Sequence, residues 1–394
     1  MNVVHKYGGT SVATIEKIQA VADRIAELKK AGNNVAVVCS AMGKTTDKLI
    51  EMAKAVGGDR NKREFDSLLS TGEQTTCALM AMALQARGVP AVSLTGGQSG
   101  FITDTIHSHA TIRKINGERI NQVVASGAVP VITGFQGVTA DGDITTLGRG
   151  GSDTTAVAVA ATLGWDCEIY TDVDGVYTID PRRCPKAKKL DTITCDEMME
   201  LAAMGAGVLE TRSVELAKKY GVNLYLGRSL EKDLTKGTHI VEKYFEAAVV
   251  TGIGVIDDCS MLSIKCEFGG DTVSRLFSSI AEMNINVDMI SHQLDDKTAI
   301  LSFSCSAESA LEIMERMPDE HFTVNNGLAK LSLVGAGMAT HSGVAAKALS
   351  TLYENGIPHY QITTSEISIS ITVDKDHLQK ACDALAKAFD LCEE

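Results

Sequence analysis

The chain lacks most of the signatures that give a chemistry away at once. None of its ten cysteines stands in a CxxC pair, and no Cys/His cluster has zinc spacing. A zinc module is thereby excluded, and reduced, buried thiols in a cytosolic protein are expected. No apolar run approaches the roughly 20 residues of a membrane-spanning helix. The apolar pair Val3-Val4 is too short for a secretory leader and is followed at once by Lys6. MGKTT at 42–46 carries Val38 where a Walker loop needs its first glycine, and LGRGGSD at 147–153 carries Asp153 where a dinucleotide fingerprint needs its third. There is no GxSxG elbow and no Cys/His pairing at a glycine loop. Positive charge is also short: 37 basic against 50 acidic residues leave a net −13. That argues against nucleic acid or an anionic membrane as partner.

What is present fits two or three domains over 394 residues, with 44% hydrophobic residues to build cores. Up to about residue 230, apolar strands alternate with helices. Strands are expected at Val3–Lys6, Asn34–Ser40, Ala91–Leu94, Val129–Thr133, Glu168–Thr171 and Asn223–Leu226. Between them, Ile15, Ile18, Ala22, Ile25 and Leu28 form one helix face, and further helices are expected over Glu73–Arg87, Ile112–Ser126, Ser152–Leu163 and Cys195–Met204. This alternation predicts an α/β fold with a mostly parallel sheet sandwiched by helices, whose ligands bind beyond the carboxyl ends of the strands.

From about residue 247 the texture changes. MLSIKC (261–266) and AKLSLVGAG (329–337) each open a strand, and a helix, an apolar strand pair and a closing helix follow in both copies. An internal βαββαβ repeat of about 65 residues predicts two small stacked α+β modules. The expected division is 1–246, 247–328 and 329–394, with a strand at 249–256 that fits either module.

Polar clusters punctuate the first part: KYGGTS (6–11), SAMGKTT (40–46), STGE (70–73), TTLGRGGSDTT (145–155) and YTDVDGVYTIDPR (170–182). Glycines let backbone N–H groups approach an anion, and Lys6 beside Gly8 and Gly9 supplies a point charge. Arg149 between Gly148 and Gly150 suits a carboxylate, which guanidinium grips bidentately. Glu73, read as lying in the first turn of a helix, either binds an ammonium or complements the helix dipole. Asp153 orients Lys6, acts through a metal, or caps a helix. His5 reads as a satisfied core or edge histidine. With no general base in sight, phosphoryl transfer to a carboxylate is attractive, because that acceptor is already ionised.

In combination these motifs and the C-terminal repeat resemble the aspartate kinases, over essentially the whole chain. The resemblance implies an amino-acid kinase fold followed by tandem ACT modules. It implies transfer of a phosphoryl group from Mg-ATP to the β-carboxylate of L-aspartate, giving 4-phospho-L-aspartate, the first step toward lysine, threonine and methionine. It places Lys6 and Asp153 at the transferring group, and Gly8 and Gly9 as its backbone donors. Arg149 and Gly150 then meet an aspartate carboxylate, Glu73 its ammonium, and Ser40 and Thr46 complete that pocket. Thr171, Asp172, Tyr177 and Arg182 hold the nucleotide, and no residue is assigned to a metal. An amino-acid effector, lysine or threonine or both, falls to Asn286, Asp288 and Gln293, with Thr364–Ile367, Glu366 included, facing them, in a homodimer or larger homo-oligomer joined through the ACT modules. Gly207 stands where the family usually has a lysine, Glu210 and Thr211 replace a commoner His-Pro, and FGGD (268–271) replaces a DxPG turn. The alternatives are a catalytically weak amino-acid sensor and a sister kinase acting on glutamate, N-acetylglutamate or UMP.

Overall fold

A computed structural model describes residues 1–58, 60–243, 248–267, 271–295, 298–339 and 341–393. The chain divides into two units. The first holds Met1–Val176, Lys189–Ala202 and Gly207–Phe245; the second holds Tyr177–Lys188, Ala203–Ala206 and Glu246–Glu394.

The first unit begins β1 (Asn2–Tyr7), α1 (Ile15–Lys30), β2 (Asn34–Cys39), α2 (Thr45–Ala55), α3 (Lys62–Gln85) and β3 (Ala91–Leu94). It continues β4 (Phe101–Thr103), β5 (Ile112–Ile115), α4 (Glu118–Ala125), β6 (Val129–Thr133), β7 (Gln136–Val138), β8 (Ile144–Thr146), α5 (Gly151–Leu163) and β9 (Asp166–Thr171). After β10 (Val176–Tyr177) and β11 (Lys189–Leu190) come β12 (Thr192–Thr194), α6 (Cys195–Leu201), α7 (Thr211–Tyr220), β13 (Leu224–Arg228) and β14 (Thr238–Val241). The main sheet has the order β12-β14-β13-β9-β1-β2-β6-β3. All its neighbours run parallel except β13 and β14. The continuous apolar runs of β1, β2 and β6 follow from burial on both faces. β1 is the switch point: β2, β6 and β3 extend the sheet on one side and β9 and β13 on the other, so a crevice opens beyond the carboxyl end of β1.

Two expected helices differ. Residues 112–115 form β5, which pairs with β4, and only 118–125 are helical. Ile112 and Ile115 are spaced as on a helix face, but the sheet pairing of the segment wins. The helix expected from Glu73 starts at Lys62, capped by the Asn61 side chain. Gly72, read as part of a turn, lies inside α3, where a Cβ would come 2.9 Å from the Cβ of Ala41. Close approach, not a turn, explains that glycine.

The second unit contains β15 (Gly252–Glu267), α8 (Thr272–Glu282), β16 (Ile290–Asp295), β17 (Thr298–Cys305), α9 (Ala307–Arg316), β18 (Phe322–Val334), α10 (Val344–Glu354), β19 (His359–Thr364), β20 (Ser368–Asp374) and α11 (Leu378–Ala388). The repeat does not stack as two sheets. It makes one antiparallel sheet of order β16-β17-β15-β18-β20-β19. The start of β15 pairs with Lys330–Val334, and its end, Ser260–Glu267, pairs with β17. Each repeat keeps its own apolar core, one around Leu262, Ile280 and Phe303, the other around Leu331, Ala348 and Leu385. Of the expected 249–256 strand, residues 252–256 are strand, as the beginning of β15. Of the FGGD turn, residues 268–270 lie outside the described residues.

Candidate active site

Along β1 the side chains alternate, so Lys6 points away from the face occupied by His5 and Tyr7. Its Nζ meets Asp153 Oδ1 at 2.5 Å, both side chains about 10% exposed. Asp153 sits in the first turn of α5, but the N-cap is Gly150, so the aspartate serves Lys6 and not the cap. Behind the strand, the Glu168 carboxylate accepts from the Tyr170 hydroxyl at 2.5 Å and lies 2.9 Å from His5 Nε2. Arg24 donates to the same tyrosine hydroxyl. Burial pushes the His5 pKa down. Burial alone would raise that of Glu168, but its bonds to His5 and Tyr170 hold it below the usual carboxylate range. His5 is the core histidine expected.

A cleft of about 330 Å³ opens over the carboxyl ends of β1 and β2. It gathers Lys6, Gly9, Ser40, Thr46, Glu73, Arg149, Gly150 and Asp153, which are far apart in the chain. Gly8 is not among the lining residues, and its N–H donates to the Tyr170 carbonyl at 3.0 Å. Gly9 is pressed against the next loop: a Cβ there would stand 2.9 Å from the Ala41 carbonyl oxygen.

Glu73 lies in the middle of α3, which removes the helix-dipole reading. It is 3% exposed; Oε1 accepts from the Ala41 N–H at 3.1 Å, while Oε2 is buried without a hydrogen-bond partner. Burial pushes its pKa up to about 7. Ionising this carboxyl group in place, with no cation beside it, carries a desolvation cost.

Arg149 is exposed at the tip of the Gly148–Gly150 loop. Gly148 and Gly150 both have left-handed φ, +82° and +66°. A Cβ on Gly150 would come 2.3 Å from the Cβ of Glu210, so Glu210, which departs from the family pattern, packs directly beneath this loop. Burial and the nearby Asp153 charge raise the Glu210 pKa, with Arg149 opposing. Gly207 has φ +61° and closes the helical turn before it, a conformation that suits glycine and strains lysine.

Two lining residues carry no role assigned from the sequence, Ser152 inside the 145–155 cluster and Phe135 outside every cluster. Ser152 lies in the first turn of α5, and Phe135 has a left-handed φ of +72°. Phe135 follows the end of β6, and that position beyond a parallel strand is the signal that could have found it. Of the expected nucleotide residues, Thr171 ends β9 and donates to Asp172 at 2.9 Å, and neither lines the cleft. Tyr177 and Arg182 belong to the second unit, where Arg182 pairs with Asp180 at 2.6 Å.

Asn286, Asp288, Gln293, Thr364 and Glu366 are all exposed, and Asp288 pairs with the buried Lys330. Asn286 and Asp288 precede β16 instead of lying in it. β16 and β19 are the opposite edges of the sheet, so Thr364–Ile367 cannot face Asn286 and Gln293 within one chain. Among the described residues no group of three or more His, Cys, Asp and Glu could hold a metal ion, and no helix is long and apolar enough to cross a membrane.

This fold and cleft have known counterparts. The model of the amino acid kinase family matches residues 1–228, and an ACT domain matches 331–389; the chain belongs to the amino acid kinase family. It is 44% identical over 400 residues to an aspartokinase of Geobacillus stearothermophilus, covering 100% of this chain and 98% of that protein. It is 45% identical over 401 residues to aspartokinase 2 of Bacillus subtilis, covering 99% and 98%. Among solved structures, aspartate kinase from Synechocystis matches with TM-score 0.57 and 37% identity over 100% of this chain and 70% of that one. Escherichia coli aspartokinase III, solved with aspartate and ADP, has the same fold at TM-score 0.80 and 22% identity, covering 98% and 99%. Within its family the chain falls among the aspartokinases, and it is an ATP-dependent kinase.

Proposed function

We propose that the chain transfers the γ-phosphoryl group of Mg-ATP to the β-carboxylate of L-aspartate, forming 4-phospho-L-aspartate at the head of lysine, threonine and methionine biosynthesis. The observation that carries this reading is Glu73: a buried carboxyl oxygen without a partner shares one cleft with Arg149 and with the Lys6–Asp153 pair. Glu73 receives the substrate ammonium and Arg149 its α-carboxylate, with Gly150 leaving room and Ser40 and Thr46 closing the pocket. The β-carboxylate is then directed toward Lys6, whose ammonium balances charge as the phosphoryl group moves. No proton need be removed from the acceptor, so alignment and charge carry the reaction. Asp153 holds Lys6 in place, and Gly9 brings backbone close to the phosphates.

Thr171 and Asp172 are assigned to the nucleotide, together with Tyr177 and Arg182. Magnesium, which usually comes bound to ATP phosphates and water, supplies further charge neutralisation when present. The assigned division is a catalytic domain over 1–246 and regulatory modules over 247–328 and 329–394, with β15 and β18 contributing to both modules. Asn286, Asp288, Gln293, Thr364 and Glu366 are assigned to an effector, lysine or threonine. The edge positions of β16 and β19 favour sites completed by a second copy in a homodimer or larger assembly. A cytoplasmic setting fits free thiols in a biosynthetic enzyme.

Hydroxylamine trapping of acyl phosphate tests the reaction, with ATP, magnesium and either aspartate or glutamate. Signal with aspartate alone is the expected result. Absence of signal with either acceptor would reduce the chain to an amino-acid sensor. Titrating lysine and threonine against the rate tests regulation, and no response to either at millimolar concentration overturns it.

A further inference from the structure

The sequence reading passed over Asp66, yet it is the most heavily bonded carboxylate near the cleft. It is fully buried, two helical turns before Glu73 on the same face of α3. Its Oδ2 accepts from the Ser108 N–H at 2.8 Å and the Thr146 N–H at 2.9 Å, and its Oδ1 from the Thr146 hydroxyl at 2.8 Å and the Ser108 hydroxyl at 3.2 Å. His107 Nδ1 lies 3.2 Å from Oδ2. Ser108, though not glycine, is held in the left-handed region at φ +70°. Strain of that kind persists only where surrounding bonds over-determine it.

Thr146 is the last residue of β8, three before Arg149. The 107–109 loop also presses on the arginine loop: a Cβ on Gly148 would meet His109 Nδ1 at 2.8 Å and the Ser108 carbonyl oxygen at 3.1 Å. One helix therefore carries Glu73 into the cleft and, through Asp66, clamps the base of the loop that carries Arg149.

We propose that Asp66 is a positioning residue for the amino-acid acceptor, setting the separation between Glu73 and Arg149 and hence the substrate length that spans them. This rests on the acceptor reading given above. Asp66 touches no reacting atom, and its bonds go to His107, Ser108 and Thr146, none of them assigned to the nucleotide. Replacing it should loosen acceptor binding while sparing ATP.

Steady-state kinetics on Asp66→Asn and on the milder Thr146→Val test this, with wild-type activity toward aspartate as the prior check on the acceptor reading. Asp66→Asn should raise KM for aspartate by about tenfold or more, with KM for ATP within about twofold. Thr146→Val, which loses one bond, should give a smaller shift of the same kind and keeps the test alive if the first variant fails to fold. Discrimination between aspartate and glutamate should fall in both. Unchanged aspartate KM, or parallel shifts for aspartate and ATP, would overturn the proposal. An inactive wild type would instead refute the acceptor reading itself.

Discussion

Lys6 at the end of β1 and Asp153 in the first turn of α5 form a buried ion pair at 2.5 Å, on the opposite face of the strand from His5 and Tyr7. The pair joins the glycine turn after β1 to the glycine loop before α5. Each partner would be costly to bury alone. Lys6→Met should therefore do two separable things. Turnover should fall by about 10²–10³, the scale of a lost charge-stabilising donor. Stability should fall by about 3–5 kcal/mol, because Asp153 is left buried and unpaired. Adding Asp153→Asn should recover much of the stability in denaturant melts and none of the turnover. Recovery of turnover would remove Lys6 from the chemistry.

Glu73 gives a pH signature. With its pKa near 7 the free enzyme carries a partly protonated carboxyl in the neutral range, while an ammonium ligand needs it ionised. KM for aspartate should rise as pH falls through about 7, and Glu73→Gln should flatten that dependence at a uniformly high KM.

The same shift has a stability consequence. The folded pKa lies above the ordinary value of 4.5, so the native state holds the proton more tightly than the unfolded chain. Stability from this group is fully present below the ordinary value and is lost as pH rises through about 7. Without substrate, Glu73→Gln should raise the melting temperature more at about pH 8 than at about pH 5. An equal shift at both would show that Glu73 does not titrate in this window.

Two glycines with the same left-handed φ separate conformation from crowding. Gly164 has φ +67° and open space around a Cβ, whereas at Gly150 a Cβ meets Glu210 at 2.3 Å. Gly164→Ala should cost about 1 kcal/mol and leave activity intact. Gly150→Ala should cost more and impair aspartate use, because the Arg149 loop must move. Equal melts and equal kinetics would refute the crowding.

Behind β1, Glu168 bonds Tyr170 and His5, and Arg24 stands over the Tyr170 ring at 4.1 Å. Glu168→Ala takes the acceptor from the buried Tyr170 hydroxyl and the His5 ring, and the nearby negative charge from Arg24. Chemical denaturation should show a loss of about 3–5 kcal/mol. A loss below about 1 kcal/mol would mean water or relaxation replaces it.

Much of the first unit was legible because strands buried on both faces write themselves as unbroken apolar runs, as in β2 and β6. The glycine clusters at 8–9 and 148–151 announced the loops at the sheet's carboxyl edge. Legibility failed where a local signal has two physical causes. Gly72 resembles a turn glycine but is a close-approach glycine inside α3, and that error placed Glu73 at a helix start. Ile112 and Ile115 are spaced as on a helix face, and only the pairing with β4 makes the segment a strand.

Sequence alone determined the alternating α/β first half, the repeated second half, the lysine-glycine and arginine-glycine loops, and the family they resemble. These are properties of period, composition and motif, which are local. Tertiary structure alone decided that Asp153 pairs with Lys6, that Glu73 brings one unpartnered oxygen to the cleft, and that Asp66 clamps the loop of Arg149. It alone decided that the repeats merge into one sheet through β15 and β18. Each of those depends on which distant groups meet and how much water they lose, and neither quantity is written in any single stretch of the chain.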